Sequence, residues 1–167
     1  MTESVNIENQ LIEPFELSIS EDSSISENGN HHSSVVYNLT NEKLTILLDG
    51  ELRNGIDSII YSTTELPKPK IRQIADINID SLNVIYSTVC INDGLRNSFR
   101  FKKNGISKSI RLENYYHPEL SPAIEIINEI VPDHYKMRYD KNKLVKTMQD
   151  CGEYEIRRNW SDLKSGK

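Results

Sequence analysis

Residues 99–112, which read FRFKKNGISKSIRL, decide the fold. Asn104-Gly105 is the strongest short signal for a two-residue type I′ turn, because both central positions of that turn need a positive φ. A turn at this point pairs Phe101 with Lys108. One face of the hairpin then carries apolar side chains and the other carries polar ones, and a one-residue slip would mix them. The sequence therefore predicts a hairpin with one buried face and one solvent face.

Two helices are predicted after this hairpin. The first spans about 120–131, where apolar residues recur at helical spacing, with Ser121 in the N-cap position. The second spans about 141–150, with Asp140 as its cap and Gly152 near its C-terminus. We expect the first helix to cover one face of a sheet and the second to lie alongside it.

Alternating apolar residues predict the remaining strands. Residues 35–48 read as a second hairpin, residues 56–63 as a further strand, and residues 82–91 as a strand rich in β-branched side chains. In residues 71–79 the isoleucines step both by three and by two, and a strand is favoured there. Residues 134–139 also alternate and predict one more strand. The predicted fold is α+β, with a mainly antiparallel sheet of about six or seven strands.

The acidic charge is concentrated near the N-terminus. The chain has 20 basic and 25 acidic residues and a net charge of −5. Residues 1–33 hold seven of the acids and no Lys or Arg, so the remainder has 18 acids against 20 bases. A Ser/Glu/Asn-rich run of this kind buries little apolar area, which predicts a disordered acidic tail over residues 1–33. A single domain over residues 34–167 is expected to follow. After residue 153 the chain is expected either to fray or to dock on the body through Ile156 and Trp160. The tail also contains apolar candidates for a short strand or a docking motif: Leu11, Ile12, Phe15 and Leu17.

The two cysteines, Cys90 and Cys151, give no disulfide framework. Cys90 follows a run of Val and Ile and is expected to be a small core residue, whereas Cys151 is expected to be half-exposed at a helix end. Two reduced thiols in a cytoplasmic protein are the favoured interpretation, with one bridge left open as the alternative. No apolar run reaches the roughly 18 residues of a membrane span, and we expect no secretory signal and no membrane association.

Common catalytic and cofactor motifs are absent from the sequence. It contains no phosphate-binding glycine pattern, no C-x-x-C and no H-E-x-x-H. The adjacent histidines, His31 and His32, are poorly placed to share a metal ion. Carboxylates near predicted strand ends could form a hydrolytic pair, but 25 acids make chance proximity certain. We therefore predict no catalytic residue, no metal site and no cofactor.

Two sets of residues are candidates for binding a partner. The first is the corner between the hairpin and the first helix, formed by Tyr115, Tyr116 and His117. Tyrosine is enriched at interfaces because it combines a large area with a polar tip. The alternative interpretation is that these side chains pack the corner, with one tyrosine pointing in and the other out.

The second set is the solvent face of the hairpin, where Arg100, Lys102 and Arg111 would lie together. This face is a candidate for binding an anion or a nucleic acid. The acidic tail could also fold over it as an intramolecular mask. The alternative is an ordinary solvated face whose cations discourage edge-to-edge aggregation.

The sequence supports three functional hypotheses for a bacterial or phage protein. A non-enzymatic protein-interaction module is favoured, because no catalytic, metal or nucleotide motif is present. Its tyrosines and acidic tail could engage a basic partner. In size, charge and lack of motifs the chain is similar to the small cytoplasmic immunity proteins that neutralise bacterial toxins, although no motif assigns it to a family. The alternatives are a regulatory module that binds nucleic acid or an anionic ligand through the basic hairpin face, and a small hydrolase with a carboxylate or His117 site.

Overall fold

A computed structural model describes residues 11–21, 35–48 and 58–161 of the 167-residue chain. The described residues form eight strands and three α-helices. The strands are β1 (Phe15–Glu21), β2 (Val35–Thr40), β3 (Leu44–Leu48), β4 (Ser58–Thr63), β5 (Ile85–Thr88), β6 (Arg96–Lys103), β7 (Ile106–Glu113) and β8 (Tyr154–Arg157). The helices are α1 (Lys68–Ala75), α2 (Ser121–Ile130) and α3 (Lys141–Cys151).

The strands form one sheet in the order β4-β3-β2-β1-β6-β7-β5-β8. All neighbours are antiparallel except β5 and β7, which are parallel. The predicted α+β class is confirmed. The described sheet has eight strands rather than six or seven. Six of the predicted strands form, and β1 and β8 are added from segments where a tail and a chain end were expected.

The hairpin predicted around Asn104-Gly105 is confirmed. Asn104 and Gly105 adopt φ values of 51° and 75°, as a type I′ turn requires. Phe101 pairs with Lys108, and the register continues unbroken through the whole of β6 and β7. Phe99 and Phe101 are both almost fully buried. The apolar alternation and the turn chemistry therefore specify the same register.

The first strand overturns the predicted tail for residues 15–21. β1 lies in the middle of the sheet, between β2 and β6. Its inward residues Phe15, Leu17 and Ile19 are at most 3% exposed. The predicted domain boundary at residue 34 is therefore wrong for this strand, because its alternating side chains complete the core. Residues 1–10 and 22–34, where the rest of the tail was predicted, lie outside the described residues.

A layer of helices covers one face of the sheet. α2 buries Ile124 and Ile127 against the inward side chains of the central strands. α1 adds Ile71 and Ile74 to the same core. Full burial of an Ile side chain contributes on the order of 2 kcal/mol of transfer free energy, so these contacts hold the two layers together.

The strand predicted over residues 71–79 is wrong. The segment forms α1 and then a single 3-10 turn, Ile79–Ser81. Ile71 and Ile74 are three residues apart, which places them on one face of a helix. Both are buried in the core, so this spacing favours the helix over the predicted strand. Pro69 lies in the first turn of α1, where its missing N–H leaves no intrahelical hydrogen bond unmade.

The two other predicted helices are confirmed, with one correction. Asp140 caps α3 by accepting the Lys143 backbone N–H at 3.0 Å, and Gly152 ends it with a φ of 68°. Ser121 does not cap α2. It lies inside the helix, and its hydroxyl accepts the backbone N–H of His117 at 2.8 Å.

Three further predictions are corrected at the end of the sheet. Of residues 82–91, only the four residues of β5 are strand. Residues 134–139 form no strand, because the amide of Asn128 bonds both the backbone N–H and the C=O of Met137. The chain after residue 153 is not frayed throughout, since β8 pairs with β5. Residues 162–167 lie outside the described residues.

The two cysteines form a disulfide, Cys90–Cys151, with their Cα atoms 5.8 Å apart. It joins the loop after β5 to the last residue of α3. Cys90 is exposed, so its predicted place in the core is wrong, while Cys151 is half-buried. The favoured prediction of two reduced thiols also fails in this structure, because the segment from Cys90 onward returns through α3 to the same edge of the sheet.

Candidate functional site

The sheet face opposite α1 and α2 carries one of the two predicted sites. We call it the outer face, and its central part is formed by outward residues of β6 and β7: Arg96, Ser98, Arg100, Lys102, Ser107, Ser109, Arg111 and Glu113. The register brings Arg100, Lys102 and Arg111 onto this one face, as the hairpin pattern predicted. The outer face extends onto β1, where the outward residue Glu16 lies beside Lys102.

Ion pairs with carboxylates neutralise most of these cations. Lys102 lies 3.3 Å from Glu16, and Glu113 lies 3.2 Å from Arg96 and 3.7 Å from Arg111. All of these groups are partly exposed, so each pair contributes about 0–1 kcal/mol to stability. The main effect of the pairs is to reduce the positive potential of the face.

Arg100 differs from its neighbours. It is exposed, and within the described ranges no carboxylate pairs with it. Its cross-strand neighbours are Ser18 on β1 and Ser109 on β7. Ser18 uses its hydroxyl to bond Asn38, at 2.6 Å. The short side chains around Arg100 leave its guanidinium open to approach from solvent.

Trp160 lies at one end of the outer face. The guanidinium carbon of Arg111 is 5.2 Å from the centre of the indole ring, within the range of a cation–π contact. Arg111 Nε is buried, and no described group forms a hydrogen bond with it. The indole is 37% exposed, so an aromatic surface remains available next to the arginines. Trp160 was not among the predicted partner-binding residues, and the one signal for it is that it is the single tryptophan, in a charged C-terminal segment.

His117, from the second predicted site, is a structural residue. Its side chain is 7% exposed, and its Nδ1 accepts the backbone N–H groups of Glu119 at 3.2 Å and Leu120 at 3.3 Å. Burial lowers its pKa, an effect that the nearby Glu119 partly offsets. Nδ1 can accept hydrogen bonds only when it carries no proton, so the ring is neutral with its proton on Nε2.

The two tyrosines of this corner are both half-buried, and Tyr115 packs against the hydrophobic core. Tyr115 contacts Tyr86 and Tyr154, with ring centres 5.4 and 5.7 Å apart, and burial raises its pKa. Tyr116 lies under the ammonium group of Lys141, whose nitrogen is 5.0 Å from the ring centre. These contacts join the sheet to the start of α3 and the end of the chain.

The two predicted sites are therefore not brought together. The ring of His117 meets the edge of Tyr86 at a centroid distance of 4.5 Å, and Tyr86 points to the helix-covered side of the sheet beside Leu112. Arg100 and Lys102 lie on the opposite side. The corner has the burial and the contacts of a packed joint, whereas the outer face keeps exposed side chains.

A cleft of about 580 Å³ lies between the loop over residues 91–95 and the first turns of α3. Asn114 holds the loop by accepting the Leu95 backbone N–H on its side-chain oxygen at 2.8 Å. Of the carboxylates that line the cleft, Asp140 is occupied as the cap of α3, and Asp93 is exposed. Among its lining residues there is no histidine, so His117 is not joined to a carboxylate here.

Within residues 11–21, 35–48 and 58–161, no group of three or more His, Cys, Asp and Glu residues is arranged to hold a metal ion. None of the helices in these ranges has the length and apolar character that crossing a membrane requires. No protein-family model matches the chain, and a search of curated proteins finds no match.

Proposed function

We propose that this protein is a non-enzymatic protein-interaction module that binds an acidic protein surface through its outer face. The observation that carries the proposal is Arg100, an exposed guanidinium on a central strand of the sheet, without an ion-pair partner in the described part of the chain. Arginine, tryptophan and tyrosine dominate the binding energy of protein interfaces. Arg100 and Trp160 supply two of these residue types on one face.

The charge of the outer face favours a protein partner over nucleic acid. The outward residues of β1, β6 and β7 include four cations and two carboxylates. Nucleic-acid binding depends on several unpaired cations that each neutralise a phosphate, and here three of the four cations are already paired. A face of mixed charge with one open arginine fits a partner that presents a small number of carboxylates among polar groups.

The proposed setting is that of an immunity protein in the cytoplasm of a bacterium. A toxin neutralised by direct binding needs a stable, largely preformed surface, and a face formed by paired strands supplies one. In the cytoplasm, thiol reductants would act on the Cys90–Cys151 bridge, so the redox state of the protein purified from its own cell tests this location. A chain isolated with both thiols reduced would favour the cytoplasm.

Affinity capture from the native cell tests the proposal, with R100E as the variant and K43E as its control. Both substitutions exchange one exposed cation for one carboxylate, but Lys43 lies in the turn between β2 and β3, away from Arg100. A captured protein is then purified and titrated against each variant by calorimetry. We expect R100E to weaken binding about tenfold or more, and K43E to leave it within about twofold.

Two results would overturn this function. The first is a purified partner that binds R100E and the unmodified chain with equal affinity. The second is the absence of any protein partner, together with a failure of the chain to protect cells in which a toxin encoded beside its gene is expressed. Binding that is abolished by nuclease treatment would favour the nucleic-acid alternative instead.

A further inference from the structure

β8 ends the sheet in the part of the chain that the structure describes. Its inner edge faces β5, since the backbone C=O of Glu153 accepts from Val89 N–H at 3.1 Å and that of Arg157 accepts from Val84 N–H at 2.8 Å. Polar backbone groups alternate between the two edges of an antiparallel strand. Those of Tyr154 and Ile156 therefore point away from β5, toward the open edge.

Two side chains of β8 expose apolar surface beside this open edge. Tyr154 is 44% exposed and Ile156 is 49% exposed, and both lie on the helix-covered side of the sheet, in register with Thr88 and Tyr86. An edge strand with unpaired backbone groups and exposed apolar side chains is a template for another strand. Its four residues would form a short, specific contact rather than a broad one.

We propose that β8 pairs antiparallel with β8 of a second copy of this chain, with Ile156 opposite Ile156 about a two-fold axis. This register uses the outward-pointing backbone groups of Ile156 on both copies. It also places the two Ile156 side chains in direct contact, which removes apolar surface from water. The two eight-stranded sheets would then continue as one sheet across the axis.

The charges of β8 select this register. With Ile156 at the axis, Glu155 of each copy lies opposite Arg157 of the other, which gives two cross-strand ion pairs. A shift of the pairing that places Glu155 opposite itself brings two carboxylates together, and a shift in the other direction brings two Arg157 side chains together. The first shift would also place Arg157 opposite Glu153, but it keeps a repulsive pair that the proposed register lacks. The shifts and the proposed register use the same outward backbone groups, so charge decides between them.

The position of these two charged side chains on β8 favours ion pairs between the two copies in place of the pair within one copy. Glu155 and Arg157 already form an ion pair within one copy, on the outer side of β8. Across the proposed axis they occupy a non-hydrogen-bonded pair, where the Cα atoms of facing residues are closest. Facing side chains at such a pair are close enough for each arginine to contact the carboxylate of the neighbouring strand.

Sedimentation velocity over a range of protein concentrations tests the proposal with four full-length chains. The unmodified chain should shift from monomer to dimer as its concentration rises. E155R and R157E should each lower the association constant about tenfold or more, because each turns two attractive pairs into repulsive ones. The double variant E155R/R157E should recover association, since its facing charges are again opposite.

An equimolar mixture of E155R and R157E provides the sharper comparison. In a mixed dimer both cross-strand pairs are again attractive, so the mixture should associate although neither variant does so alone. Association in the mixture also shows that both variants are folded.

A chain that stays monomeric at every concentration would overturn the proposal, and so would single variants that associate as the unmodified chain does, or a mixture that fails to recover. This inference does not rest on the proposed function, and R100E should leave self-association unchanged.

Discussion

Leu17 of β1 pairs with Phe101 of β6, and both side chains are almost completely buried. This contact joins a segment near the N-terminus to the central hairpin. The N-terminal segment therefore supplies a central strand of the sheet.

We predict that L17A lowers the free energy of unfolding by about 2–5 kcal/mol, the range for truncating a buried leucine to alanine. L11A provides a matched control, because Leu11 is 99% exposed and undergoes the same chemical change. That control should stay within about 0.5 kcal/mol of the unmodified chain. Urea unfolding at neutral pH measures both values. Equal, small effects of the two substitutions would show that β1 is not part of the stable sheet.

Local sequence signals correctly predicted the elements whose ends carry a characteristic turn or capping residue. Asn104-Gly105 specified the turn and register of the central hairpin, and Asp140 and Gly152 specified the ends of α3. β1 was assigned to a tail because its composition resembles that of the Ser/Glu-rich residues around it. Its burial depends on β6, about 80 residues later in the chain, and a local pattern does not contain that contact.

The candidate site was predictable to the same extent. The hairpin register placed Arg100, Lys102 and Arg111 on one face, because all three lie within or next to the Asn-Gly hairpin. The pairing of Lys102 with Glu16 was not predictable, since it requires β1 to lie beside β6. The contact of Arg111 with Trp160 likewise depends on the position of the chain after β8.

The Cys90–Cys151 disulfide should be a major contribution to stability. It closes a loop of 61 residues in sequence, and the chain-entropy model assigns about 4 kcal/mol to a loop of this size. We predict that dithiothreitol lowers the free energy of unfolding by about 2–4 kcal/mol, measured by urea unfolding. The C90S/C151S variant should show the lowered stability without reductant and no further response to it. An equal response of the variant and the unmodified chain to dithiothreitol would contradict this role of the bridge.

His117 should make the stability of the protein sensitive to acid. Burial holds its pKa below the ordinary value of 6.5, so below that pH the unfolded chain binds a proton that the folded protein does not. The contribution of His117 to stability should be constant above about pH 7.5 and decline as the pH falls through 6.5 toward the lowered pKa. Protonation of Nδ1 would also displace the backbone N–H groups of Glu119 and Leu120.

The H117N variant isolates this effect. The Asn side-chain oxygen can accept the same backbone N–H groups but does not titrate. Urea unfolding of both proteins at pH 7.5 and pH 5.0 should show a smaller loss of stability on acidification for H117N than for the unmodified chain. An identical loss in the two proteins would mean that the imidazole is not the titrating group.

The most direct test of the central claim is site-specific photo-crosslinking on the outer face in the native cell. A benzophenone amino acid replaces Ser109, which is exposed and lies opposite Arg100, or Gln149, which is exposed on α3 and serves as the control. We predict a crosslink to one protein from position 109, its loss when R100E is added, and no such product from position 149. A product that forms equally from both positions, that survives R100E or that is destroyed by nuclease would contradict the proposal that the outer face binds a protein.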